Sequence, residues 1–224
     1  DDAYLAQLFS LPDEADIAQQ IGKNIDPDAI LAARRKIKRD LGVALKEKLD
    51  ARYQRLTSHR PYSPDAKSAG RRALRNSCLD LLAATEDKTE FRRAFHQFEH
   101  ADNMTDRMAA LAVLSQHAIP EREKALEAFE KRYRNEPLVL DKWFAVQARI
   151  AESGTLDRVL ELTKHPAFSM TNPNRMRSLI GVFASNPSQF NRPDGKGYAF
   201  VADTVLGLDS KNPQVAARLL SAFK

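Results

Sequence analysis

The sequence predicts an all-α protein, a superhelical array of antiparallel helix pairs, and three observations carry that reading. Short polar residues stand directly before proline at Asp26-Pro27, Ser63-Pro64, Asn172-Pro173, Asn186-Pro187 and Asn212-Pro213. Asp, Asn or Ser can accept a hydrogen bond from an orphan N–H at a helix start, and proline suits the first helical position. After each pair, except the short Asn186-Pro187 segment, apolar residues recur at helical spacing. Finally, good helix formers dominate the composition, and only eight glycines are available for the turns a many-stranded sheet would need.

The elements follow in order. A short helix ends near Phe9, and a second runs from Pro12 to about Ile21, stopped by Gly22. The longest follows Pro27 to about Leu56, with Ile30, Ile37, Leu41, Leu45 and Leu49 on one stripe, and would be roughly 45 Å long. His59-Arg60-Pro61-Tyr62 reads as a loop. Ser63-Pro64 opens a helix carrying Leu74, Cys78, Leu81 and Leu82. Further helices are expected over Lys88–Phe98, Met104–His117, Pro120–Tyr133, Pro137–Arg149, Thr155–Lys164, Pro173–Ala184, Gly197–Leu208 and from Pro213 onward. Phe190 to Gly197 is the clearest irregular loop. Helices of this length with short connections stack as pairs, the ARM/HEAT-like α-solenoid pattern, although no strict sequence period is visible. No linker divides the chain, so residues 1–224 read as a single helical domain.

Bulk properties remove several function classes. Hydrophobic residues make up 43% and charged residues 29%, which places the chain among globular proteins and outside the disordered range. Cys78 is the only cysteine, so neither an intrachain disulfide nor a thiolate metal cluster can form, and a reducing, cytoplasmic setting is expected. No stretch approaches the apolar length of a membrane span. The opening Asp1-Asp2-Ala3-Tyr4 has neither an initiator Met nor a secretory layout, so the chain is expected to be a piece of something longer.

Candidate chemistry is sparse. His96-Gln97-Phe98-Glu99-His100 matches H-x-x-E-H, in which two imidazoles one turn apart face a metal. A catalytic zinc also needs a third ligand and an open position, and no nearby residue supplies that ligand. The motif therefore reads as a polar helix terminus, where His is favourable near the last carbonyls. Arg34-Arg35-Lys36-Lys38-Arg39, extended by Arg71, Arg72 and Arg75, could bind phosphate backbone, and the net charge of +5 permits it. Asp40, Glu47 and Asp50 follow on the same helix, however, so the cluster reads as a mixed, solvated face. No aromatic platforms interleave with the basic residues, which argues against nucleic acid. Trp143-Phe144 and Phe91/Phe95/Phe98 are spaced as core residues. No Ser-His-Asp order or glycine-rich phosphate loop is present.

The last helix is more informative. Val215, Ala216, Leu219 and Leu220 would form its buried side. Gln214, Arg218 and Ser221 share another face, where a Gln and an Arg one turn apart can hold carbonyl or carboxylate groups. From spacing alone, solvent exposure is the simpler reading.

Several strings resemble one known family. They are Ile25-Asp26-Pro27-Asp28-Ala29-Ile30, Pro61-Tyr62-Ser63-Pro64-Asp65-Ala66, Ser68-Ala69-Gly70-Arg71-Arg72-Ala73-Leu74-Arg75-Asn76 and Ala101-Asp102-Asn103-Met104-Thr105-Asp106-Arg107. Asp141-Lys142-Trp143-Phe144, Asn172-Pro173-Asn174-Arg175-Met176-Arg177-Ser178-Leu179-Ile180-Gly181 and Asn212-Pro213-Gln214-Val215-Ala216-Ala217-Arg218 complete the set. Together they resemble the C-terminal helical domain of bacterial aminopeptidase N, a zinc aminopeptidase of the gluzincin type, in order along nearly the whole chain. The resemblance implies a large enzyme that removes N-terminal residues from peptides, with broad preference including basic and alanine residues. It places the zinc motif H-E-x-x-H, its downstream Glu and a G-A-M-E-N substrate motif in an upstream domain, and none of these occurs here.

The resemblance further implies a superhelical bowl that closes over the catalytic domain and forms part of an interior cavity. By motif, Gln214 and Arg218 match residues that face that cavity near the substrate's first side chain or its access path, and Arg177 matches a cavity arginine. His96 and His100 match no zinc ligand. The family continues through further helices beyond the position of Lys224, so a noncatalytic fragment is expected, with apolar faces exposed and no peptide hydrolysis on its own. Its expected partners are the catalytic domain and peptide substrates, and not a membrane. The competing class is a free-standing helical-repeat module that binds protein or nucleic acid.

Overall fold

The computed structural model describes residues 1–57 and 61–223, and every regular element among them is helical. The loop expected at His59-Arg60 lies outside the described residues; Pro61 and Tyr62 are in irregular backbone. The chain divides into two compact units, 1–125 and 126–224, with the boundary inside one helix. No described helix is long and apolar enough to cross a membrane.

The first unit contains α1 (Asp2–Leu8), α2 (Glu14–Ile21), α3 (Pro27–Ala44), α4 (Lys46–Leu56), α5 (Ala66–Ala83), α6 (Lys88–His100), α7 (Met104–Ser115) and the start of α8 (Pro120–Tyr133). Helix α5 is its centre. Leu74, Cys78, Leu79, Leu81 and Leu82 are buried there, and α1, α3, α4, α6 and α7 all pack against it. Burial of this apolar stripe is the main stabilising term, about 25 cal/mol per Å² of apolar surface removed from water.

Two expectations for this unit are corrected. The long helix from Pro27 to Leu56 is broken at Leu45, whose φ of −110° and ψ of 10° leave the helical region. Gly42, one turn earlier, lets the backbone of α3 approach that of α5, and the chain re-aims there so that α4 can lie along α5. Ile37, within α3, does not continue the buried stripe and is 46% exposed. The cap of α5 is also not Ser63. Asp65 accepts the N–H of Ser68 at 3.0 Å, and the Ser63 hydroxyl donates to Asp65 at 2.6 Å, one step outside the helix.

The second unit contains the rest of α8, then α9 (Pro137–Ala148), α10 (Thr155–Leu162) and α11 (Pro173–Met176). Helix α11 runs on through a π-helical stretch, Arg177–Gly181, into α12 (Val182–Ala184). There follow α13 (Pro187–Phe190), α14 (Lys196–Asp209), α15 (Pro213–Leu220) and a 3₁₀ turn, Ser221–Phe223. Asn172 and Asn212 cap α11 and α15 through their side-chain oxygens, as their polar-proline pairs predict, and Asn186 caps the four-residue α13, a helix not expected from the sequence. Asn186 does more: its buried amide donates to the carbonyls of Ala148 (3.1 Å) and Ile150 (3.0 Å), tying α13 to the end of α9. Phe144 is fully buried, and the Trp143 indole N–H donates to the carbonyl of Leu126 at 2.9 Å. Both are packing residues, as their spacing indicates.

Candidate functional site

Helix α15 begins where the Asn212 side chain accepts the N–H of Val215, with Pro213 at its first turn. Ala216 and Leu219 are buried against α14, Val215 is half-buried, and Leu220 is 51% exposed. The buried side is therefore narrower than the sequence suggests. Leu220 stands at the last helical position, where the chain tightens into the 3₁₀ turn.

Gln214, Arg218 and Ser221 share the opposite, exposed face. The Ser221 hydroxyl is turned back onto the Arg218 carbonyl at 2.6 Å, which satisfies an orphan acceptor at the helix end. Gln214 and Arg218 keep their side-chain groups unengaged by any hydrogen bond or ion pair among the described residues. One turn apart, they present an amide and a guanidinium that could grip a carboxylate or peptide carbonyl together.

Arg177 rises from a different layer. It opens the π-helical stretch, which packs on α9, and the Val182 N–H reaches back five residues to the Arg177 carbonyl. Its exposed guanidinium donates to Asn174 Oδ1 at 2.6 Å. π-helical turns inside α-helices are frequent at functional sites. Among the described residues, no hydrogen bond or ion pair joins Arg177 to Gln214 or Arg218. The small depression lined by Met170, Thr171, Gly207, Leu208, Lys211 and Asn212 contains none of the three.

Two other arginines in the same strings are structural. Arg175 is buried; it donates to the carbonyls of Ala167 (2.8 Å) and Pro137 (2.8 Å), pairs with Asp141 and lies over the Phe144 ring. Arg107 is buried as well, and its guanidinium caps the end of α6 through the carbonyls of Phe98 and Ala101. Sequence reading did not separate these from Arg177.

The remaining candidates assemble no catalytic centre among the described residues. The basic run on α3 is engaged by acids: Arg34 with Glu14 (2.6 Å), Lys36 with Asp40 (2.5 Å), Lys38 with Asp80 (2.6 Å) and Arg39 with Glu86 (3.3 Å). A phosphate backbone would have to displace those partners. His96 and His100 are exposed at the end of α6, with their rings stacked 4.2 Å apart. Among the described residues, no three His, Cys, Asp or Glu side chains are grouped to hold a metal ion. The described residues thus do not fit a catalytic zinc centre, which the resemblance places in an upstream domain.

A family model described as "Domain of unknown function (DUF3458_C) ARM repeats" matches residues 1–224. The chain belongs to this family. That agrees with the all-helical array read from the sequence. The chain is also 44% identical over 220 residues to aminopeptidase N of Caulobacter vibrioides, an alignment covering 97% of this chain and 25% of that protein. With aminopeptidase N of Escherichia coli the identity is 38% over 221 residues, covering 98% and 25%. The chain therefore spans about a quarter of the length of these curated relatives, and the matched part is C-terminal. Among solved structures, aminopeptidase A of Legionella pneumophila in complex with aspartic acid superimposes with a TM-score of 0.90 at 30% identity, over 99% of this chain and 27% of that one. The resemblance seen in the sequence strings is thus borne out along the whole chain.

Proposed function

We propose that this chain is the noncatalytic C-terminal portion of a zinc-dependent aminopeptidase N, covering the active site and lining the path by which peptides reach it. The alignment carries this reading: identity of 38–44% runs over 97–98% of the chain and falls on a quarter of aminopeptidase N. Zinc and its ligands belong to a catalytic domain outside this chain, which is then its principal partner, and a cytoplasmic location follows from the same reading. In that setting Gln214, Arg218 and Arg177 line the substrate path. Their exposed polar ends suit peptide carbonyls and carboxylates, and the positive charge of the two arginines would raise the local concentration of anionic groups. The engaged state of the α3 cations counts against a nucleic-acid module.

Kinetics of the full-length enzyme test the reading. Arg218→Ala and Gln214→Ala should lower kcat/KM severalfold for longer peptides while zinc content stays unchanged. Unchanged kinetics across several peptide lengths would reject the channel role.

A further inference from the structure

The His96–His100 pair has no part in the reading above; its i, i+4 spacing on one exposed helix face is that of a two-imidazole chelate, with the rings stacked face to face in this structure. The two imidazoles sit one turn apart on the exposed face of α6, with ring centroids 4.2 Å apart and planes inclined by 22°. His100 Nδ1 lies 2.9 Å from the His96 carbonyl oxygen. A carbonyl can only accept, so Nδ1 carries the proton and the Nε2 lone pair is left free. This is the arrangement by which metal-binding histidines are oriented, one ring nitrogen donating to a carbonyl and the other facing the ion.

The scaffold beneath the pair is held firmly. Phe98 and Gln97 are buried on the opposite side of the same turn, the Ala101 N–H closes the helix on the Gln97 carbonyl at 2.9 Å, and Arg107 caps the carbonyls of Phe98 and Ala101. The two rings are exposed, and turning them out of their stack brings a nitrogen of each toward one ion.

We infer that His96 and His100 form a two-imidazole binding site for a borderline first-row divalent cation, with water completing the coordination shell. Imidazole nitrogens suit Cu²⁺, Ni²⁺ and Zn²⁺, and affinity rises to its maximum at Cu²⁺. With two protein ligands and open solvent around them, the ion exchanges freely. When bound, it clamps the last turn of α6.

Cu²⁺ titration of the full-length protein tests this, with His96→Ala, His100→Ala and the double variant alongside; metal held elsewhere is common to all four. Wild type should bind one further Cu²⁺ whose electron paramagnetic resonance spectrum shows two imidazole nitrogens. Each single variant should weaken that binding by about tenfold or more, since the second ligand otherwise binds at a high effective concentration, and the two-nitrogen pattern should disappear. Wild-type affinity in either single variant, or losses in the two variants that simply add, would overturn the site. Both side chains are exposed, so the variants should keep the helical circular dichroism of wild type. His100→Asn, which retains a polar group at the helix end, should lose the site equally.

Discussion

Gly42 of α3 lies directly against the backbone carbonyl of Leu81 in α5, so close that a Cβ at position 42 would overlap that oxygen and stand 3.0 Å from the Thr85 methyl. The neighbour is backbone, which cannot swing away as the end of a flexible side chain can. Gly42→Ala should therefore destabilise the first unit by about 1–3 kcal/mol, the usual range for overpacking. Gly207 is the control: it lies inside α14 with nothing within 4 Å of where its Cβ would be. Gly207→Ala should stabilise by about 0.5–1 kcal/mol, because alanine loses less conformational freedom on entering a helix. Urea denaturation should give opposite signs; equal shifts in the same direction would refute the close-approach account.

A second prediction concerns the polar seam between α4, α5, α6 and α7. The Tyr53 hydroxyl donates to Gln97 Oε1 at 2.9 Å, and Gln97 Nε2 donates to Asn76 Oδ1 at 2.8 Å and to the Asp106 carbonyl at 3.0 Å. Arg75 and Arg93 flank the Tyr53 ring, 5.6 and 5.0 Å from its centroid. Gln97→Leu leaves a buried hydroxyl without its acceptor, at a cost of about 1–3 kcal/mol. Adding Tyr53→Phe removes the stranded group, so the double variant should recover part of the loss. A double-mutant cycle should show a coupling of about 0.5 kcal/mol or more, whereas strictly additive losses would disprove the bond's contribution.

His117 gives the fold a pH dependence. Burial pushes its pKa below the ordinary 6.5, against the opposing pull of Glu86 and Asp80, and its ring packs on Phe91 at 4.7 Å. The folded state thus holds the imidazole neutral at a pH where the unfolded chain would already protonate it. Above 6.5 both states are neutral and the group has no effect. As pH falls below 6.5, the unfolded state takes up a proton first, so stability declines until the folded-state pKa is passed. His117→Leu should flatten that decline. Equal slopes for wild type and variant in thermal midpoints between pH 7 and 5 would rule it out.

Much of this architecture is legible in the sequence because its signals are local. Asp26, Asn172 and Asn212 each cap the helix that their polar-proline pair announces, since cap chemistry involves residues only two or three apart. The break at Leu45 was not legible: it depends on Gly42 meeting Leu81, a contact between residues far apart in sequence. Ser63 was misread as the cap of α5 because Asp65, two residues on, competes for the same role with a stronger acceptor. For the candidate site, spacing correctly put Gln214 and Arg218 on one exposed face. What that face meets lies outside anything helical periodicity encodes, and only the ordered family strings gave it a functional meaning.

The last prediction separates two arginines that spacing alone could not tell apart. Arg175 is buried, paired with Asp141 and bonded to the carbonyls of Pro137 and Ala167, so it binds α11 to α9. Its removal strands a largely buried carboxylate and two carbonyls together. Arg175→Ala should cost about 3–5 kcal/mol, the range for breaking a buried pair from one side. Arg177, two residues later, is exposed, and among the described residues its guanidinium bonds to Asn174 alone. Arg177→Ala should change stability by no more than about 0.5 kcal/mol, as exposed substitutions generally do. Chemical denaturation of the two variants side by side checks both figures. A large loss from Arg177→Ala would mean that it braces the π-helical stretch, and any kinetic effect of that variant could then no longer be assigned to the substrate path.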